Sequence, residues 1–208
     1  QERVDQLRLI SVGPDNPREQ VLQEIREGRI GMVFNTVVRH DIRPMQEQVA
    51  HNRIKIPLAF AYDVIHGHRT VFPINLGLAS TWDLQAIARS GRVSAIEAAA
   101  DGLNMTFSPV VDITRDPRWG RSSESFGEDT YLVSRIGETL VHAYQGDDLS
   151  RPDSIMASVK HFAAYGAIEG GRDYNTVDMS RQRLFQDYLP PYKAAVDAGV
   201  VDRFSPTV

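Results

Sequence analysis

The sequence predicts an α/β fold built on parallel strands. Short apolar runs at residues 30–35, 56–63, 103–112 and 155–161 alternate with longer amphipathic segments. Each run has the length and unbroken hydrophobicity of a strand covered on both faces. Strands that alternate with helices pair in parallel through helical crossovers. Composition supports a packed core: of 208 residues, 42% are hydrophobic and 24% charged, which is ordinary globular usage.

The helical segments carry their own punctuation. Residues 18–27 are closed by Gly28, and residues 42–52 follow Asp41, which is placed to act as an N-cap. Residues 84–100 are closed by Gly102. Residues 128–144 put Leu132, Ile136 and Leu140 on one face and end before Gly146. Residues 181–198 start after Ser180 and stop at Gly199, and Pro190-Pro191 should kink or divide that helix. Periodicity leaves two architectures open, the doubly wound sheet and the closed barrel. Asn35-Thr36-Val37 follows the first apolar run, so the glycine-rich phosphate turns of nucleotide-binding sheets are missing there.

Several function classes fall away on composition. Acidic side chains number 27 against 23 basic ones, a formal charge of −4 with no basic block, so nothing draws the chain to nucleic acid or an anionic membrane. Cysteine is absent, which excludes disulfides and thiolate metal sites. The longest uncharged run, Thr70 to Trp82, is too short to span a bilayer and contains Pro73 and Gly77. The opening residues Gln1-Glu2-Arg3 do not have the character of a signal peptide.

The chemistry is expected at the strand exits, where both α/β architectures place their sites. Asp63 to Arg69 follow the second run, Thr114 to Asp129 the third, and Lys160-His161-Phe162 end the fourth. Asp63 can accept from two neighbouring hydroxyls, while Arg121, Lys160 and His161 donate. Such directional charged groups suit a sugar, and Trp119 could add an apolar face or simply fill the loop core. Arg115, Asp116 and Arg118 read first as salt bridges tying down a long loop. Asp63 alone could cap its loop. Lys160 is harder to explain structurally, since lysine is rarely buried without a partner. His66 and His68 form an H-x-H at a strand exit, a weak metal-ligand pattern that fits backbone hydrogen bonding equally well. His40, His51 and His142 fall in connecting or helical stretches and receive no role.

Four blocks resemble, in order, the signatures of glycoside hydrolase family three. They are Ala61 to Gly67, Asp112 to Arg121, Glu124 to Asp129 and Val159 to Phe162. The match runs from about Gln1 to Gly199 and is most similar to the bacterial periplasmic β-glucosidase branch. The resemblance implies the N-terminal part of a (β/α)₈ TIM-type barrel, about four βα units and incomplete, since a full barrel takes about 250 residues. It implies retaining hydrolysis of terminal non-reducing β-D-glucosyl residues, with a β-glucoside or oligosaccharide as substrate. Asp63, Arg121, Lys160 and His161 would bind the sugar in the −1 subsite, and the Lys160–His161 peptide would be cis. No cofactor and no catalytic metal are implied, which lowers the H-x-H reading.

Retaining glycosidases use two carboxyl groups about 5–5.5 Å apart. By the resemblance, the nucleophilic aspartate and the acid/base glutamate are expected beyond residue 208, so no catalytic residue is expected within the chain and the chain alone is expected to be inactive. Residues 1–208 then form a partial N-terminal barrel domain. The tail at 200–208 looks unlike the family, with Asp202-Arg203 placing charges in a stave and Pro206 unable to donate to a ladder. An incomplete barrel has open edges through which it could self-associate. Export to the periplasm is implied by the resemblance alone. Two other readings share the sequence: a non-catalytic sugar-binding or pseudoenzyme fragment, and an amidohydrolase-like metal barrel on His66 and His68. Calling glucosidase over xylosidase or arabinosidase rests on Tyr62-Asp63 and His66-Gly67.

Overall fold

The computed structural model describes residues 1–203. After a short helix α1 (Glu2–Asp5) come strand β1 (Leu9–Ser11), helix α2 (Arg18–Arg26), strand β2 (Met32–Phe34), helix α3 (Arg39–Gln48) and strand β3 (Ala59–Tyr62). Helices α4 (Asn75–Ala79) and α5 (Leu84–Ala100) lead to strand β4 (Met105–Thr106), and α6 (Thr130–Gln145) leads to strand β5 (Met156–Val159). Helices α7 (Arg181–Arg183) and α8 (Pro190–Asp197) precede strand β6 (Asp202–Arg203).

All pairings are parallel, and the sheet order is the chain order, β1-β2-β3-β4-β5-β6. A doubly wound sheet reverses its strand order at a switch point; this one never does. The uninterrupted order decides between the two architectures in favour of barrel-type winding. The four expected strands are β2 to β5, and β1 and β6 flank them. The tail expected at 200–208 extends the sheet at Asp202–Arg203, while residues 204–208 lie outside the described residues.

The strand faces alternate as the pleat requires. Val33, Phe60, Ala157 and Val159 join the main core between sheet and helices. Ala61, Met105 and Phe107 form a smaller cluster on the other face, against which Leu9, Met32, Phe34 and Met156 are only partly buried. Regular pairing in β4 is far shorter than the apolar run at 103–112. Beyond Thr106 the ladder stops, and Val110 contributes only an isolated bridge to Lys160.

Local signals hold at most helix ends. Asp83 Oδ1 accepts from the Ala86 amide at 2.9 Å and Asp129 Oδ1 from Leu132 at 2.7 Å. Ser180 caps α7 through Arg183, and the prolines divide the segment at 181–198 into α7, a π-turn (Leu184–Tyr188) and α8. Asp41 is a correction: α3 begins at Arg39 behind Val38, so Asp41 lies inside the first turn and pairs with Arg18 at 2.7 Å instead of capping. Helices α5 and α6 pack closely at Gly91, where a Cβ would meet Leu140 Cδ2 at 2.8 Å. No helix among the described residues is long and apolar enough to cross a membrane.

Candidate functional site

Successive parallel strands bring their carboxyl ends to one side of the sheet, and the polar residues gather there. A cavity of about 260 Å³ is lined by Asp63 after β3, Lys160 and His161 after β5, and Arg121 from the long loop before α6. Leu9, Phe34 and Phe107 supply apolar lining, and Tyr174 completes it. The four residues expected to bind one ligand therefore line one cavity.

Each is held by a neighbour. The Lys160 ammonium donates to Asp63 Oδ1 across the width of β4. Lys160 is 4% exposed, whereas the Asp63 side chain keeps 40% of its surface, so the carboxylate is the accessible half of the pair. Lys160 thus has the partner its burial demands.

His161 is fixed from behind. The Lys160–His161 peptide is cis, as is Phe162–Ala163, which nothing in the sequence announced. Asp112 Oδ2 accepts from the His161 amide at 3.1 Å and lies 2.7 Å from its Nδ1. The Tyr192 hydroxyl sits 2.6 Å from the His161 carbonyl and 3.2 Å from Asp112 Oδ1. Burial, then the Asp112 charge, pushes the Tyr192 phenol well above its ordinary range. Asp112 is fully enclosed, with no exposed side-chain surface.

Arg121 is oriented by Glu124, whose Oε2 accepts from Nε at 2.7 Å, and its guanidinium lies 5.6 Å from the Tyr165 ring centre. Burial alone would lower the Arg121 pKa, but Glu124 and Tyr165 together outweigh it and the net shift is upward. Tyr165 also packs edge-on against His161 and donates to Asp173, which accepts from Trp119 Nε1 at 3.3 Å. Burial and then Asp173 raise the Tyr165 pKa, while the Tyr165 hydrogen bond chiefly lowers that of Asp173.

The remaining sequence candidates are structural. Trp119 gives no face to the cavity: it is 1% exposed and packs with Tyr165 and Ile168, because its indole N–H has a partner inside the loop core. Arg115 pairs with Asp187 at 2.7 Å and Arg118 with Asp116 at 2.6 Å. His66 Nδ1 lies 3.1 Å from the Phe72 carbonyl and His68 Nε2 2.8 Å from Asp101 Oδ2, so the H-x-H histidines have separate partners. Among the described residues, no three His, Asp or Glu side chains gather as a metal set.

Sequence reasoning missed Tyr165, Asp173, Tyr174 and Tyr192. Nothing local marks them, since their roles arise from contacts across the fold. Chemically the cavity offers an ammonium, a guanidinium and an imidazole, with Asp63 as the one carboxylate among the described residues that line it. Such a set is chemically able to hold a polyhydroxylated ligand from several directions. Behind the lining, Asp112 is enclosed and engaged by His161 and Tyr192, Glu124 is paired with Arg121, and Asp173 accepts from Tyr165 and Trp119.

Comparisons with known proteins point the same way. Residues 1–202 match the glycosyl hydrolase family 3 N-terminal domain. The chain is 66% identical over 199 residues to a periplasmic beta-glucosidase of Salmonella typhimurium, covering 95% of this chain and 26% of that protein. It is 37% identical over 168 residues to a beta-xylosidase of Formosa agariphila, covering 74% of this chain and 23% of that protein. Its structure superposes on the Listeria innocua beta-glucosidase crystallised with glucose, with a TM-score of 0.87 and 42% identity, covering 97% of this chain and 30% of that one. The chain thus spans about a quarter to a third of the relatives it matches.

Proposed function

The chain belongs to glycosyl hydrolase family 3 by its N-terminal domain, and from that premise we propose that it forms the sugar-gripping part of a β-glucosidase-type site without the groups that cleave the bond. The convergence of Asp63, Arg121, Lys160 and His161 on one cavity carries this reading. Asp63, partly exposed and charge-balanced by Lys160, accepts from two adjacent hydroxyls of a terminal β-glucosyl residue in the −1 subsite. Arg121, Lys160 and His161 donate to the oxygens around it.

Retaining hydrolysis needs a nucleophilic carboxylate and an acid/base about 5–5.5 Å apart. Among the described residues, Asp63 is the one carboxylate lining the cavity, and Asp112 is buried and engaged. This supports the second half of the proposal, that the 208-residue chain binds sugar but does not turn it over. Glucose is favoured over xylose by the 66% identity to the Salmonella enzyme against 37% to the xylosidase. The same similarity supports a periplasmic location. The outer edges of β1 and β6 pair with no other strand among the described residues, which supports self-association through them.

Incubation of the purified chain with an aryl β-glucoside tests the catalytic half. No aryl alcohol release above the spontaneous rate is expected. Steady release that disappears in Asp63→Asn would overturn the proposal.

A further inference from the structure

Asp63, Arg121, Lys160 and His161 address the hydroxyl edge of a sugar and, beside the apolar lining of Leu9, Phe34 and Phe107, leave room at the rim for a flat aromatic partner to its C–H face. Tyr174 is placed to supply one. It lines the cavity, is 60% exposed, and lies against Tyr165 with ring centres 5.4 Å apart and planes inclined by 33°. Its backbone sits at φ 58°, a left-handed conformation that a bulky aromatic residue rarely adopts. An aromatic ring kept at such a position, largely exposed at a cavity, is an outlier that asks for a function.

The surrounding loop holds the ring in place. The Glu169 amide donates to the Thr176 carbonyl at 3.0 Å and closes the loop at its base. At Gly171, also left-handed, a Cβ would meet the Trp119 amide nitrogen at 2.7 Å, so this loop lies flat on the Arg121-bearing one. Asp173, directly before Tyr174, accepts from both Tyr165 and Trp119. The ring that Tyr174 leans on is therefore anchored at its hydroxyl, and the aromatic pair is a preorganised surface.

We propose that Tyr174 is a specificity-determining residue of this cavity, a rim platform on which the apolar C–H face of a β-glucosyl unit stacks. This rests on the sugar-binding reading of the site. An aromatic face against the axial C–H groups discriminates by shape. A sugar with equatorial substituents lies flat on the ring, and an axial hydroxyl on that face lifts it off.

The test is a nuclear magnetic resonance titration of the chain with glucose, in the wild type and in Tyr174→Phe, Tyr174→Gly and Asp63→Asn. Tyr174→Phe should bind as the wild type, since the ring and not the hydroxyl makes the contact. Tyr174→Gly should bind about three- to tenfold more weakly. Its melting temperature should hold or rise, because glycine relieves the left-handed backbone. Equal affinity in Tyr174→Gly, with binding still lost in Asp63→Asn, would overturn the platform and leave the sugar site standing. A lowered melting temperature with unchanged affinity would mark Tyr174 as loop packing alone. Glucose binding that survives Asp63→Asn unchanged would overturn the site reading, and the platform with it.

Discussion

Truncating Asp112 to alanine removes the acceptor that holds His161. Its Oδ2 takes the His161 amide at 3.1 Å and lies 2.7 Å from Nδ1, inside a region where neither side chain is accessible. The third neighbour, the Tyr192 hydroxyl, keeps the His161 carbonyl at 2.6 Å and so is not stranded. Two buried donors lose their partner. At about 1–3 kcal/mol for each unsatisfied group, the expected loss is about 4 kcal/mol. That is a large share of the roughly 5–15 kcal/mol by which a domain is stable. With a urea dependence of about 2 kcal/mol per molar, the unfolding midpoint should fall by about 2 M. Asp112→Asn can keep its carbonyl at the Oδ2 position for both His161 donors and turn its N–H₂ to the Tyr192 hydroxyl oxygen, so it should lose much less than the alanine variant. Urea titration followed by circular dichroism reads both. A midpoint for Asp112→Ala within about 0.3 M of the wild type, or about 0.6 kcal/mol, would refute the assignment of Asp112 as the anchor of His161.

Other outcomes follow from the same contacts. Hydrogen bonding from Arg69, then His68, lowers the Asp101 pKa from 3.8 to about 2. Its folded value lies below the unfolded one, so its contribution is present above about pH 4 and lost as pH falls toward 2; Asp101→Asn should flatten acid unfolding in that window. Gly91→Ala should destabilise by about 1 kcal/mol, because the clash with Leu140 and Ala143 outweighs the gain in helix propensity, and thermal unfolding reads the difference. Asp129→Ala should cost about 1 kcal/mol by removing the cap of α6, with Asp129→Ser recovering most of it in the same assay.

Residues whose environment is written in their neighbours were legible from the sequence. Lys160 ends an apolar strand, so its burial and its need for an acidic partner could be anticipated, and Asp63 at the end of another strand is that partner. Alternation of apolar runs and amphipathic segments yielded β2 to β5 with α3, α5 and α6 between them, because hydrophobic periodicity and capping are local, while the five-residue α4 went uncalled. β1 escaped notice: it is three residues long, follows Arg8, ends in Ser11, and only Ile10 of it is buried. The closed-or-open question turned on strand order, which no local pattern encodes. The orienting layer, Asp112 with Tyr192 and Asp173 with Tyr165, was invisible for the same reason. Asp112 and Tyr192 are 80 positions apart and meet only once α8 packs behind the sheet. Trp119 shows the opposite failure, a residue whose type suggests a sugar face but whose indole is committed to Asp173.

The claim that organises all of this is that Asp63, Arg121, Lys160 and His161 form one sugar site. Isothermal titration of the chain with glucose at high concentration addresses it most directly. For one monosaccharide held in a cavity of about 260 Å³, the account predicts a dissociation constant near millimolar, about −4 kcal/mol. Asp63→Asn and Arg121→Ala should each weaken binding about tenfold or more, the loss expected for a charged hydrogen bond. No heat of binding at saturating glucose, or binding that both substitutions leave unchanged, would contradict it.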